Sequence, residues 1–255
     1  MLYTREFLAT DSTLNIILSP GTSGTDAGPI LQAATLEDLS PALWATGVRV
    51  FRGGDPNEGL VFDGDFVYAV DAGGDGGFQI GDAVFTNDTA PGVTLNAQHR
   101  IPNWKTFTYG SSADDNALET LMKSIRYSTS YDGILPLDVS IALADLVPGT
   151  DYELQLLFGE GTSNRGFDVF IEGMLVADDF SPYALTGIDL TKGVVLTHQF
   201  TALDDTLEIL LDGLGTPFPD KNPIIQGLTL KIIPEPASMS LLALGLLALL
   251  RRRRA

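Results

Sequence analysis

Apolar and polar positions alternate with period two through much of the chain. Leu137 to Leu143 reads LDVSIAL, Tyr152 to Phe158 reads YELQLLF, and Phe167 to Ile171 reads FDVFI. Such alternation predicts half-buried β-strands. Glu172-Gly173 then predicts a hairpin turn into Met174 to Ala177. Val194 to Phe200, Thr206 to Leu211 and Ile224 to Ile232 complete the set downstream, and Phe66 to Val70 and Phe78 to Asn87 add strands upstream. One stretch departs from the pattern. Asp114 to Lys123 (DDNALETLMK) has helix formers with acids first and a base last, which suits the helix dipole. Ser124 to Ser130 is more strand-like, and periodicity does not decide whether a helical turn leads into a strand there. Many short strands separated by turns predict an all-β sandwich.

The strand, loop, strand run from Phe200 to Lys231 is written twice. Phe7 matches Phe200, Ala9 matches Ala202, Asp11 matches Asp204, and Thr13-Leu14 matches Thr206-Leu207. After a one-residue gap, Asp26 matches Asp220 and Pro29-Ile30 matches Pro223-Ile224. Gln32, Thr35 and Leu36 then match Gln226, Thr229 and Leu230. A repeat unit this long means tandem domains rather than a solenoid. Residues 1–38 are therefore expected to be the C-terminal remnant of a preceding domain. Residues 39–65 are expected as a linker, 66–233 as the complete sandwich, and 234–255 as a tail. The expected parent is a longer tandem-domain protein. Met1 to Ser19 holds Arg5, Glu6 and Asp11 with no apolar core, so it carries no secretory signal, and an upstream extension would supply one.

The charge balance narrows the function. With 33 acids against 15 bases the formal charge is −18, a surface that repels nucleic acid. The 44% hydrophobic content supports a real core. The chain has no cysteine, which excludes thiol catalysis, cysteine metal sites and disulfides. His99 and His198 are not in a metal-ligand spacing, and no Gly-x-Ser-x-Gly elbow occurs. The DAGGDGG run after Val70 lacks the ending of a phosphate loop and reads as a tight turn. Asp55, Glu58, Asp63 and Asp65 could bind calcium weakly or form a solvated acidic loop; they lack EF-hand spacing. No cofactor and no other metal site is expected. Thr89 to Ser112 is irregular and aromatic, with Trp104, Phe107 and Tyr109. Those rings suit stacking on sugars, or plugging the sandwich edge.

These residues carry a resemblance. Tyr152 to Glu160, Arg165 to Val169, Glu172-Gly173 and Asp179-Phe180 resemble the strand motifs of the malectin-like carbohydrate-binding family. AVDAGGDGG, Ser124 to Tyr127, and Asp220 to Pro223 resemble its opening, its Thr-x-Arg-Tyr segment and its Asp-Asn-Pro loop. The resemblance covers about Phe66 to Ile233. It implies a jelly-roll sandwich of the galactose-binding-domain type that binds glycans through loop aromatics and an aspartate. Tyr127 would stack on a ring face and Asp220 would accept hydroxyl hydrogen bonds. Members that bind sugar carry aromatics after the Phe-x-Glu strand, whereas this loop is Gly161-Thr162-Ser163-Asn164. Trp104 and Tyr109 are the candidate substitutes.

The tail resembles the PEP-CTERM sorting signal of Gram-negative bacteria. Pro234, Glu235 and Pro236 precede the apolar run Ala237 to Leu250, and Arg251, Arg252, Arg253 and Arg254 follow. That run is expected as a short apolar helix, shorter than the about 20 residues a bilayer span takes. The arginines would stay cytoplasmic. The resemblance implies a transient inner-membrane anchor processed by an exosortase, then a cell-surface or extracellular-matrix location. The expected function is an exported, non-catalytic surface or matrix protein that binds a glycan or exopolysaccharide. The alternatives are a structural surface or biofilm component without sugar affinity, and a glycan hydrolase, since carboxylates are abundant.

Overall fold

The computed structural model describes residues 45–129 and 137–234. The expected remnant 1–38, Trp44, the apolar tail helix and the arginine cluster lie outside the described residues. The chain folds as a two-sheet β-sandwich with a small third sheet. The larger sheet has seven strands, in spatial order β1 (Ala45–Phe51), β12 (Gly193–Thr201), β9 (Asp151–Phe158), β15 (Gly227–Ile232), β2 (Asp65–Asp71), β4 (Ala83–Asn87) and β3 (Phe78–Ile80). The second has five, β11 (Met174–Phe180), β10 (Phe167–Ile171), β13 (Leu207–Asp212), β8 (Asp138–Leu143) and β5 (Val93–Asn96). The third joins β14 (Ile224–Ile225), β7 (Ile125–Tyr127) and β6 (His99–Ile101). Among the described residues two helices, α1 (Ala113–Met122) and α2 (Pro182–Thr186), interrupt the strands.

The period-two runs are the core. Val139, Ile141 and Leu143 of β8 face Leu207, Ile209 and Leu211 of β13 in register, all buried. Leu154, Leu156 and Phe158 of β9 close the same core from the larger sheet, with Val194, Leu196 and Phe200 of β12. On its second face β9 turns Leu157 toward a second core behind the larger sheet and buries the polar Gln155. There Leu157 and Val195 pack with Phe51, Phe107, Leu118, Leu121 and Met122.

Two stretches differ from, or sharpen, the reading of the sequence. Residues 45–62, expected within the linker 39–65, contribute β1, which pairs with β12 across seven residues. They also bury Phe51, Leu60 and Phe62. The side-chain amide of Gln155 holds both the N–H and the carbonyl of Val61, at 3.3 and 2.7 Å. Turn residues dominate that stretch in sequence, and only nonlocal pairing shows where its strand belongs. The open question at Asp114 resolves as a helix followed by a strand. Ser112 caps α1, its Oγ accepting from Asp115 N at 3.0 Å, while the Asp115 carboxylate accepts from Ser112 N at 3.2 Å. The DAGGDGG run is a close-packed turn, as read. A side chain on Gly73 would put its Cβ 2.4 Å from the Ile125 carbonyl oxygen.

The sandwich has two poles. β1 begins opposite Gln199, which pairs with Glu153, and Ile233 N donates to Asp151 O at 2.8 Å. The entry to β1 and the exit from β15 thus share the pole where β9 starts. β9 has eight residues, so its other end lies roughly 27 Å away.

Candidate functional site

At that far pole three connections meet: residues 102–109 after β6, 160–165 after β9, and 213–223 after β13. Their organiser is a buried ion pair. Glu160 ends the apolar β9 run with no side-chain exposure. Left alone there, a carboxylate would be strongly destabilising. Its Oε1 accepts the N–H groups of Gly161, Thr162 and Ser163 at 2.9, 2.7 and 3.0 Å. Its Oε2 accepts from Arg165 Nε at 2.6 Å. The short loop without aromatics is therefore wrapped around one carboxylate.

Arg165 then reaches the next loop. Nη1 donates to the Asn222 carbonyl at 3.1 Å, and Nη2 lies 3.4 Å from Asp220 Oδ2. Ser163 Oγ donates to the same Asp220 oxygen, and Asn222 N donates to Asp220 Oδ1 at 3.0 Å. The guanidinium also sits 5.9 Å from the Trp104 ring centroid, a cation–π arrangement. Charge-assisted bonds of this kind fix geometry as well as add energy. One arginine thus ties all three loops together.

The structure brings Trp104 and Asp220 together through Arg165. Tyr127 lies on β7, paired with Ile224 of β14, and its ring stacks on His99 with centroids 4.9 Å apart. Half-buried Trp104 and Tyr127 also pack against the sandwich core. Tyr109 packs against the second core, which Trp104 also touches. Its ring packs 5.6 Å from Phe51 and 5.9 Å from Phe107, on the second core. Its hydroxyl is sealed from solvent with no hydrogen-bond partner. Burial, with Glu119 nearby, pushes that hydroxyl's pKa well above the usual tyrosine value. Asp220, expected to receive sugar hydroxyls, already accepts hydrogen bonds from Ser163 and Asn222 and pairs with Arg165.

Sequence reasoning passed over Arg165, Glu160 and Ser163 as site residues. The available signal was an acid ending an apolar strand with an arginine five residues on, the mark of a buried pair. The candidate calcium cluster changes membership. Asp55 and Glu58 converge with Asp115, their ligand atoms within 4.8 Å, while Asp63 and Asp65 are not in the group. Asp115 Oδ1 accepts from Gly54 N at 3.1 Å. Burial raises the Asp115 pKa, and hydrogen bonds from Gly54 and Ser112 outweigh it and hold the carboxyl below its usual value.

The fold and its tail place the chain in a class: a two-sheet β-sandwich that carries a sorting signal. Residues 233–254 match the PEP-CTERM protein-sorting motif. No curated protein matches the sequence. Among solved structures, the ANX1 ectodomain from Arabidopsis thaliana is similar at 14% identity and a TM-score of 0.50, over 76% of this chain and 55% of that one. The ANXUR2 extracellular domain from Arabidopsis thaliana is similar at 12% identity and a TM-score of 0.50, over 66% and 49%. Bacteroides uniformis beta-glucuronidase 2 is similar at 16% identity and a TM-score of 0.48, over 66% of this chain and 18% of that one. The chain thus spans about half the length of the plant ectodomains and less of the glucuronidase. The plant likeness establishes a shared fold. Among the described residues no helix is long and apolar enough to cross a membrane.

Proposed function

We propose that this is an exported, non-catalytic surface or matrix protein of a Gram-negative bacterium, sorted by an exosortase, whose malectin-like sandwich binds a carbohydrate at the loop pole. The PEP-CTERM match carries the sorting half of this reading. In its support, the tail leaves from the pole opposite the loops, so a tail held transiently in the inner membrane presents the loops outward. The carbohydrate half is supported by half-buried Trp104, held against the Arg165 guanidinium, and by half-buried Tyr127 on β7. Aromatic faces match the apolar faces of sugar rings, and fixed loops lower the ordering cost of binding.

A glycan array with the purified chain tests the binding half. Saturable binding that weakens in Trp104→Ala and Tyr127→Ala supports it, and no binding across the array removes it. The sorting half is read in an exosortase-positive host. The full chain should lose the mass of its tail and reach the surface, whereas an exosortase-deleted host should retain it in the membrane. A second reading, a structural surface component without sugar affinity, is favoured by the three in-chain partners of Asp220. It predicts assembly with a silent array.

A further inference from the structure

One aromatic ring in the loop after β13 belongs to neither core. Phe218 is half-buried, yet it packs in neither of the two apolar clusters. Gly166, just before β10, holds it instead. The Gly166 carbonyl accepts from Thr216 Oγ1 at 3.3 Å, and the Gly166 N–H donates to the Asp220 carbonyl at 3.0 Å. These bonds fall two residues before and two residues after Phe218, so they seat it over Gly166. A Cβ on Gly166 would lie 2.0 Å from Phe218 Cδ2 and 2.2 Å from its Cε2. Only glycine lets the ring come this close to the backbone. Pro217 and Pro219 stiffen the loop on both sides of the ring. A ring that builds no core is thus held in one place.

Its surroundings are polar. Asn164 is exposed, and its carbonyl accepts from Asp220 N at 3.4 Å. Thr162, two residues earlier, is exposed as well. Arg165, the neighbour of Gly166, carries Trp104 5.9 Å from its guanidinium. Two rings are therefore held by the successive residues Arg165 and Gly166, with hydroxyl and amide side chains close by in the chain. A purely apolar partner would strip water from those polar groups without replacing it. A sugar offers C–H faces to the rings and hydroxyls to the polar groups.

We propose that Phe218, seated by Gly166, is a sugar-stacking residue of the loop-pole site and acts beside Trp104 on a neutral pyranose chain. This rests on the carbohydrate reading above and adds a binding residue to it. Gly166 is the positioning residue: it touches no sugar and acts through the ring it seats.

The test measures the affinity of the full chain for maltohexaose, cellohexaose and mannohexaose, neutral pyranose chains that differ in linkage and stereochemistry. For a hexaose that the parent binds, Phe218→Ala should lower affinity roughly fivefold or more, whereas Phe218→Tyr should stay within about twofold. Unfolding curves of both variants should lie near the parent's, because the ring joins neither core. Gly166→Ala should weaken binding by pushing the ring aside, and added to Phe218→Ala it should cost nothing further. Phe218→Ala binding like the parent, while Trp104→Ala binds weakly, overturns the proposal and leaves the carbohydrate reading standing. A lowered unfolding midpoint with unchanged affinity gives the ring a structural role alone and also overturns it. Silence of the parent toward all three hexaoses overturns the proposal, and silence across the glycan array removes the carbohydrate reading as well.

Discussion

The loop pole and the outer face of the five-stranded sheet treat charge in opposite ways. At the pole, Glu160 and Asp220 share one buried arginine. On the sheet, Asp138 of β8 lies directly opposite Asp212 of β13, which lies directly opposite Asp168 of β10. Asp178 and Asp179 of β11 extend the row, their oxygens within 4.8 Å of Asp168. None of these acids joins an ion pair among the described residues. Burial and Asp212 push the Asp138 pKa up, as expected for like charges facing across strands. The difference teaches that a buried carboxylate demands a counter-charge, while half-exposed carboxylates tolerate repulsion in water.

The largest expected effect lies at the pole. Arg165→Met strands fully buried Glu160 and should cost about 3–5 kcal/mol, read by denaturant unfolding. Glu160→Gln added to it should recover part of the loss; no recovery would mean that Arg165 acts through packing alone. A second test concerns the burial of a histidine. His198 of β12 is 1% exposed, its Nδ1 lies 2.8 Å from Thr46 Oγ1 of β1, and burial lowers its pKa to about 4. Its folded pKa is below the unfolded value of about 6.5, so the unfolded chain binds the proton first. Its contribution is present above about pH 6.5 and is lost as pH falls toward 4, up to about 3 kcal/mol. Stability curves of the parent and His198→Asn should therefore converge between pH 7 and pH 4. Parallel curves would place the acid sensitivity elsewhere.

Smaller effects are expected on the sheet. Asp212→Asn removes the shared member of the acid row and should stabilise by about 0.5 kcal/mol, more at low salt. A loss instead would show that the row is held by a cation in solution. Smallest of all, Tyr109→Phe removes a sealed hydroxyl without a partner, so stability should hold or rise by less than about 1 kcal/mol. A clear loss would point to a bound water on that oxygen.

Much of the sandwich is legible because strand burial repeats every second residue. LDVSIAL, FDVFI and the Glu172-Gly173 turn carry their own address. Both turn residues take positive φ, 51° and 71°, which a tight hairpin needs. The site is less legible. Trp104, Tyr127 and Asp220 are named by residue type and motif. Nothing local says that Arg165 joins Trp104 to Asp220, or that Tyr109 turns away toward Phe51. Those contacts bridge loops far apart in the chain, and strand register sets them.

The sequence by itself determined most of the strands, the hairpin, the helix after Ser112 and the PEP-CTERM tail, because each depends on neighbours within a few residues. The tertiary structure alone decided that β1 belongs to the sandwich and that Glu160 is fully buried on Arg165. Burial and charge pairing depend on which distant segments are brought together, and that proximity is a property of the folded sheets.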